Sequence, residues 1–408
     1  MTIAPFGNAP EKVANYLKWW NRESVLRPMI GFTMVGWFPL QEFSACQAWG
    51  QARYVELDMI DPQGFLDDHI RLLKEGEVIE DDVFRGAYPA LVAIPWLPPV
   101  MGCKLRLLPS NIMGEERNLT LEETLAKSKL NLDSPWWHKY LDFALELVKL
   151  SDGRFPIGHG SEIGPTDLHA VFRGHFQSIM DLMDEPEITK EIMWRMGEVF
   201  RDMAKEYWKH IPLFEGGYFD CQYQIWSPGS IIRMQEDATA VYSPTIYREL
   251  VLEVDRMIAQ SFDNTFIHLH PTSMFLLDAM LEIEEIKCFE INHEDAGPPP
   301  GGDDPIFPYG SRPRAFTAHS GQLYIGRITT TLRRVVGGGS LHPNIGQRSC
   351  RSGKTSPDSR NVNFFQVIMA GTPATQSSLM ETGWPAIVNW RLPLITELLI
   401  LRICPPVT

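Results

Sequence analysis

Apolar residues in the first 300 positions alternate between helical spacing and short continuous runs. Spacings of three and four residues indicate helices with one buried face, and runs of four to eight apolar residues indicate buried strands. We predict helices at 10–20, 61–75, 119–129, 136–150, 168–173, 176–183, 187–209, 244–261 and 274–285, and strands at 27–32, 155–158, 219–226, 231–235, 266–268 and 286–292. Repeated strand–helix units favour an α/β fold of the (β/α)8 TIM-barrel type, with a doubly wound open sheet as the alternative.

The segment 265–270 carries two histidines directly after an apolar run. On a strand, residues two apart point to the same face, so His268 and His270 project together. A proline follows them, and ligands of parallel α/β folds bind at the carboxyl ends of strands. The pair therefore marks a candidate metal or substrate site. A strand histidine can equally be a hydrogen-bonded core or rim residue.

Carboxylates follow two of the predicted strands. Glu236 and Asp237 come after the strand 231–235, and Asp295 follows the strand 286–292, which itself contains Glu290. Carboxylates at strand ends can orient a reacting group or move a proton, so we take Glu236, Asp237 and Asp295 as candidate catalytic residues. The alternative for Glu236 and Asp237 is a solvated turn or a helix N-cap.

Composition excludes several classes of function. The chain has 408 residues, 44% hydrophobic and 22% charged, with a formal charge of -14. That charge argues against partnership with nucleic acid or with an anionic membrane. Six cysteines without a CxxC pair suit a reducing compartment, and we see no signal peptide, so we expect a cytoplasmic protein.

The character of the chain changes near residue 300. Residues 1–300 carry 26 Lys+Arg against 46 Asp+Glu, whereas residues 301–408 carry 11 against 5 and are rich in Gly, Ser, Arg and Pro up to residue 360. We therefore divide the chain into a barrel at 1–300 and an atypical tail at 301–408. The tail can be a disordered appendage, a loop-rich cap or a frame-shifted translation. We favour the frame shift, because the strand at 287–292 needs further neighbours to close a barrel.

Several short motifs occur in an order that resembles the uroporphyrinogen decarboxylase-like superfamily over roughly residues 16–300. These motifs are Arg27-Pro28, Gly164-Pro165-Thr166-Asp167-Leu168 with Arg173-Gly174, Trp226-Ser227-Pro228-Gly229, Gln235-Glu236-Asp237, Ser243-Pro244 and His268-Leu269-His270. The resemblance implies a (β/α)8 barrel with its pocket at the C-terminal face. The superfamily includes the heme-pathway decarboxylase and the methylcobamide:thiol methyltransferases.

Two departures separate this chain from those relatives. The basic loop with which heme-pathway decarboxylases grip substrate carboxylates is missing after Arg27, so porphyrinogen decarboxylation is disfavoured. The thiol methyltransferases carry a His-x-Cys zinc motif. In this chain His268 matches the His, but His270 stands at the Cys position. Histidine also ligates zinc well, so a metal site remains compatible with the sequence.

The resemblance implies a function and a set of roles. It favours corrinoid-linked methyl transfer to a thiol acceptor, with zinc held by His268, His270 and Glu290, or with Glu236 or Asp237 as the nearby carboxylate. The corrinoid methyl donor is free or on a partner corrinoid protein. Substrate-binding roles fall on Asp167, Arg173 and Trp226. The alternatives are a metal-independent decarboxylase or lyase for a porphyrin-like or other carboxylated small molecule, and an inactive or binding-only barrel. Six aromatic residues could line a macrocycle-sized cleft or simply pack in the core: Trp96, Trp136, Trp137, Tyr218, Tyr223 and Trp226.

Overall fold

The computed structural model describes residues 9–21, 23, 29–33, 43–50, 52–77, 79, 81–89, 94–108, 111–160, 162–293, 321–322 and 366–369. Its α-helices are α1 (Ala9–Trp20), α2 (Pro62–Gly76), α3 (Leu97–Val100), α4 (Leu121–Lys127), α5 (Pro135–Ser151), α6 (Pro165–Arg173), α7 (His175–Asp184), α8 (Pro186–Trp208), α9 (Pro244–Ile246), α10 (Leu252–Ala259) and α11 (Leu277–Met280). A π-helical turn, Tyr247–Val251, joins α9 to α10. Short 3-10 helices lie at Ser44–Trp49, Leu57–Met59, Asp237–Val241 and Pro271–Leu276.

The strands are short and lie in several small sheets. They are β1 (Ile30–Thr33), β2 (Tyr54–Val55), β3 (Leu105–Leu108), β4 (Asn111–Gly114), β5 (Tyr218–Asp220), β6 (Ile225–Ser227), β7 (Ile231–Gln235), β8 (Asn264–Leu269), β9 (Ile286–His293), β10 (Gly321–Gln322) and β11 (Gln366–Met369). The sheets have the orders β10-β9-β8-β7, β2-β3-β4, β5-β6 and β1-β11.

Helix ends follow local sequence chemistry. At the start of α4 the Thr120 hydroxyl accepts the Glu123 N–H at 3.2 Å, and the Glu123 carboxylate accepts the Thr120 N–H at 2.9 Å. The two bonds form a capping box, which a threonine followed three residues later by a glutamate predicts at the start of a helix. At α2, Asp61 accepts the Gln63 N–H at 3.1 Å and Pro62 occupies the first turn. These caps satisfy backbone groups that the helices cannot satisfy themselves.

The sheet that positions the candidate site is parallel across β7, β8 and β9. Gln235 on β7 pairs in register with His268 on β8, and His268 pairs with Glu290 on β9. α10 lies between β7 and β8, and α11 between β8 and β9, so this part of the chain consists of β–α–β units. Val254, Ile258 and Leu276 are buried, as the helical spacing predicts.

The described residues form a mixed α/β structure and do not form a closed barrel. The barrel prediction is therefore supported only at the level of the fold class and the parallel units around β8. Three predicted elements differ. Residues 155–158 make only an isolated bridge, between Ala87 and Ile157, and the helix expected at 274–285 shortens to a 3-10 turn followed by α11.

The third difference is the strand predicted at 219–226, which is a hairpin of β5 and β6. Its turn is built by Asp220, whose carboxylate accepts the Tyr223 N–H at 2.8 Å, and by Gln224, whose φ is 57°. A side-chain oxygen that caps a nearby backbone N–H favours a turn over a continuous strand, and the left-handed residue reverses the chain.

Three expectations fall outside these observations. Asp295, the boundary at residue 300 and nearly all of the tail lie outside the described residues, so the predictions made for them stay predictions. Within the part of the chain that the structure describes, no helix combines the length and the apolar character that a membrane crossing requires.

Candidate metal centre

Three ligand-type side chains converge beyond the carboxyl ends of β7 and β8. We name Asp237, His268 and His270 the His–Asp cluster. One donor atom from each residue lies within 4.8 Å of the other two. The His268 Nε2 and His270 Nε2 atoms are 3.1 Å apart, and His270 Nε2 lies 3.4 Å from Asp237 Oδ2. The structure thus places the two histidine rings next to one another and brings the Asp237 carboxylate to them.

A contact with the distant helix α6 explains how Asp237 reaches the histidines. Asp237 begins the 3-10 helix that follows β7. The Asp167 carboxylate, in the first turn of α6, accepts the backbone N–H groups of Asp237 at 3.3 Å and Ala238 at 2.8 Å. A carboxylate at a helix N-terminus satisfies otherwise unpaired N–H groups. Asp167 therefore holds the segment that carries Asp237. A substrate contact, the role predicted for Asp167, has no direct observation behind it.

Glu290 lies on the opposite side of the His268 ring from the cluster. Its Oε2 contacts His268 Nδ1, and the Tyr223 hydroxyl lies 3.1 Å from the same nitrogen. A carboxylate oxygen accepts hydrogen bonds, so a proton on Nδ1 satisfies this contact and leaves the Nε2 lone pair toward His270 and Asp237. Glu290, the predicted third metal ligand, therefore lies on the ring nitrogen that faces away from the cluster. Carboxylates commonly occupy this position behind metal-binding histidines, where they orient the ring.

The carboxyl of Asp237 is suited to be an anionic ligand. Burial by itself would raise its pKa, but the contact with His270 and the nearby His268 and Arg233 bring that pKa below its usual range. The side chain is also partly exposed, like that of His270, while His268 is buried. The cluster therefore has two donors at a solvent-accessible edge and one fixed in the interior.

Glu236 has its contacts away from the His–Asp cluster. Its Oε2 accepts the Thr166 N–H at 3.0 Å and the Thr166 hydroxyl at 2.5 Å. Burial, followed by the neighbouring Asp255 and Asp167, raises the pKa of Glu236 well above its usual range. Burial likewise raises the pKa of Asp255 to about 7 and that of Asp167 to about 8. Glu236 and Asp255 are buried and Asp167 is partly buried, and Glu236 interacts electrostatically with both.

Two residues predicted to bind substrate are occupied by protein contacts. The Arg173 guanidinium forms a two-point ion pair with Asp181, at 2.5 and 2.8 Å, and also donates to the Leu119 carbonyl. The Trp226 indole is buried, and its N–H donates to the Phe214 carbonyl at 2.8 Å. Both side chains therefore have structural partners.

Sequence reasoning missed the polar residues behind the cluster. Gln222, Tyr223, Arg233 and Gln235 form hydrogen bonds that lead to Asp237 and His268. One signal was present: Arg233 is a charged residue inside the apolar run of β7, and the structure buries it. Buried charges require partners, so a charge in a buried strand is itself a sign of a polar site.

The aromatic residues do not form an open cleft for a macrocycle. Four of the six are buried, and Trp136 and Tyr218 are only partly exposed. Trp96 stacks with Tyr140 at a centroid separation of 4.8 Å, and Tyr223 lies beneath His268. Core packing is the role that their contacts support, and these residues do not fit an internal corrinoid site.

Comparison with known proteins adds little. No family model and no curated protein matches the chain. Among solved structures, a methyltransferase from Methanosarcina mazei is similar over 63% of this chain and 69% of that chain, with 14% sequence identity and a TM-score of 0.42. We draw no conclusion about function from a likeness at this level.

Proposed function

We propose that this chain is a metal-dependent enzyme whose His–Asp cluster binds one divalent cation of the zinc type and activates a thiol for methyl transfer. The observation that carries the proposal is the convergence of His268, His270 and Asp237 within 4.8 Å, with Glu290 on the far nitrogen of His268. Two imidazoles and one carboxylate are a normal donor set for zinc, and three protein ligands leave a fourth position open.

The contacts around the cluster support cation binding. His268 Nε2 and His270 Nε2 are 3.1 Å apart, so without a cation they must share a proton. A cation takes the place of that proton and allows both nitrogens to donate their lone pairs. Each nitrogen would then lie about 2.0–2.1 Å from zinc, a small movement from the present geometry. Metal uptake should therefore release protons.

A bound zinc ion lowers the pKa of a coordinated thiol or water and so supplies a nucleophile at neutral pH. The residues of the chain perform the remaining tasks. Glu290 keeps the Nδ1 proton on His268 and thereby keeps Nε2 available. The partly exposed Asp237 and His270 admit the acceptor from solvent. A thiolate as the acceptor is the finer part of the proposal, and it rests on the sequence resemblance.

In the proposed reaction the methyl donor is a molecule that is not bound inside this chain. The buried aromatic residues do not offer an internal macrocycle site, so we place a corrinoid donor on a partner protein or in free solution. None of the described contacts identifies a residue that binds the donor. Attack by a thiolate on the methyl group would form the C–S bond and break the Co–C bond, with the electron pair left on the corrinoid cobalt. This attack requires in-line approach, which an edge site permits more readily than a closed cavity.

A second candidate function is metal-independent acid–base catalysis of a lyase reaction. Its supporting observation is that His268 contacts Glu290 while His270 contacts Asp237, so that each imidazole has its own carboxylate. Imidazole–carboxylate pairs transfer protons near neutral pH. Metal content separates the two candidates, because only the first requires stoichiometric cation for activity.

The test is metal binding by the full chain. We expect purified protein to take up one equivalent of Zn²⁺ by elemental analysis and one of Co²⁺ by its visible spectrum. The double variant His268→Ala/His270→Ala should lose this uptake and still unfold cooperatively. A thiol added to the Co²⁺ protein should produce a sulfur-to-cobalt absorption band.

His138→Ala is the matched control, since His138 is an exposed helix histidine away from the cluster. It should bind metal like the wild type. Full metal content in the double variant would place the metal elsewhere and overturn the proposed ligands. Absence of metal uptake by the wild type, with lyase activity retained, would favour the acid–base candidate.

A further inference from the structure

Arg233 lies behind the His–Asp cluster and is connected to it by two hydrogen-bonded routes. The guanidinium is buried on β7 and lies over the Tyr223 ring at 5.5 Å. One route passes from Arg233 through Gln235 to Asp237 Oδ2. The other passes from Arg233 through Gln222, at 3.2 Å, and then through Tyr223 to His268.

We propose that Arg233 is the positioning residue of the cluster, and that it sets the direction of every hydrogen bond along both routes. A guanidinium has donors only. The atom of each glutamine amide that faces it must therefore be the carbonyl oxygen, and each amide NH2 group must point toward the cluster. The inference rests on the proposed function, since it assigns the residue that prepares the metal ligands.

The first route fixes Asp237. With its carbonyl turned to Arg233, Gln235 donates its N–H to Asp237 Oδ2. Oδ2 must accept this bond, so the carboxylate is held with that oxygen toward both Gln235 and His270. Without Arg233, the Gln235 amide could rotate and present its carbonyl to Asp237. Two facing oxygens would repel one another and turn the carboxylate away.

The second route supports His268. The Gln222 amide donates to the Tyr223 oxygen at 3.0 Å, and that oxygen lies 3.1 Å from His268 Nδ1. Together with Glu290, Tyr223 thus presents an acceptor oxygen to the Nδ1 proton. The two routes end on different ligands but begin at one guanidinium. A planar fork with several N–H groups can hold two carbonyl oxygens at once, which a single ammonium cannot do as well.

Two replacements that preserve the local charge distinguish a positioning role of Arg233 from an electrostatic one. Arg233→Lys keeps the cation and loses the fork, and Gln235→Met removes the first route without adding charge. We expect each to weaken Co²⁺ binding about 10- to 100-fold, the usual effect of losing a residue that orients a ligand. Because both act on Asp237, the double variant should lose less than the product of the two single effects.

Two matched controls apply the same changes elsewhere. Arg154→Lys alters a guanidinium that donates to the backbone carbonyls of Leu150 and Ser151. Gln177→Met removes an amide that donates to an aspartate, Asp181, at 3.1 Å. Both should bind Co²⁺ like the wild type. Wild-type Co²⁺ affinity in both Arg233→Lys and Gln235→Met would overturn the inference. A double variant whose loss of affinity equals the product of the two single losses would also overturn it.

Nitrogen-15 NMR of the metal-free protein tests the inference without the metal. We expect the wild-type His268 ring to be protonated at Nδ1, and we expect Arg233→Lys to shift it toward a mixture of tautomers. A wild-type ring protonated at Nε2, or an unchanged ring in Arg233→Lys, would contradict the role of Arg233. If the wild-type protein binds no Co²⁺, the proposed function is wrong. The positioning role of Arg233 is then decided by the NMR result alone.

Discussion

At the residue scale, the chemistry of the site depends on which atoms of each side chain already have a partner. His268 offers Nε2 to the cluster only because Glu290 and Tyr223 occupy its Nδ1 side. Asp237 is partly exposed, and the neighbouring His270, His268 and Arg233 hold its pKa below the usual range. Its neighbour Glu236 has a raised pKa, chiefly because it is buried. Adjacent carboxylates in one sequence motif therefore have opposite protonation preferences.

Replacement of Glu290 tests the orientation of His268. Glu290→Gln replaces the carboxyl group at Nδ1 with an amide that can turn its N–H toward the ring and so permits the other tautomer. Metal affinity should therefore fall about 10- to 100-fold. Competition with a chromophoric chelator measures the change. Glu282→Gln alters an exposed glutamate paired with Arg248 and should leave affinity unchanged. An unaltered affinity in Glu290→Gln would show that Nδ1 is held by other groups.

The buried Asp255 predicts a pH effect on stability. Burial raises its folded pKa to about 7, above the unfolded value of about 3.9. The protonated carboxyl therefore stabilises the fold, and this stability is lost as the pH rises from about 4 to about 7. Asp255→Asn, which cannot ionise, should gain free energy of unfolding relative to the wild type over that window, by at most about 1.4 kcal/mol per pH unit.

Urea unfolding of both proteins at about pH 5 and about pH 8 measures this difference. Comparison at equal pH cancels the opposing contribution of buried histidines such as His69, whose pKa is lowered by burial to about 4. Asp142→Asn, at an exposed helix position, should show no such trend. A difference between Asp255→Asn and wild type that is independent of pH would mean that Asp255 is ionised in the folded protein throughout.

At the element scale, the end of β7 is fixed by close packing against the start of α6. Gly164 immediately precedes α6, and a Cβ on it would overlap the Gln235 carbonyl oxygen and the Glu236 carboxylate. The parallel register then places Gln235, His268 and Glu290 side by side. The positions of α6 and β7 relative to one another therefore determine where Asp237 lies.

Gly164→Ala should disturb this junction. The added methyl group must displace backbone, so we expect a loss of about 1–3 kcal/mol in the free energy of unfolding and weaker metal binding. Denaturant unfolding and Co²⁺ titration measure the two effects. Gly50→Ala is the control, because its Cβ would meet its nearest atom at an ordinary 3.6 Å. Equal stability of both variants would show that α6 can shift without cost.

At the scale of the whole molecule, charge and pattern divide the chain near residue 300. The acidic first part contains the described α/β units, whereas the basic part after it is poor in periodic apolar positions up to residue 360. A segment that cannot bury apolar surface gains little from folding. The composition thus continues to predict a tail unlike the preceding domain.

Limited proteolysis tests that division. We expect early cleavage within 301–360 and a resistant fragment that ends near residue 300, identified by mass spectrometry. Digestion in denaturant provides the control, because sites should then be cut throughout the chain. First cuts within 162–293 would contradict the prediction. Sequencing of the parent DNA tests the frame shift separately, and an uninterrupted frame through codon 408 would exclude it.

The sequence by itself determined the periodic elements and one part of the site. The strands β7, β8 and β9 and the long helix α8 follow from the spacing of apolar residues, and the spacing of His268 and His270 predicts that they lie together at the end of β8. These features are local, since each depends on residues only a few positions apart. For the same reason the capping box at Thr120 could be predicted from four residues.

Only the tertiary structure decided how the polar residues divide their roles. It placed Asp237 at the histidines and Glu236 against Thr166, and it set Glu290 on the far nitrogen of His268. It also connected Arg233 to both ligands through glutamines from two different elements. Such relations depend on strand register and helix packing between distant segments. The identity of a residue does not specify which neighbours will face it across a sheet.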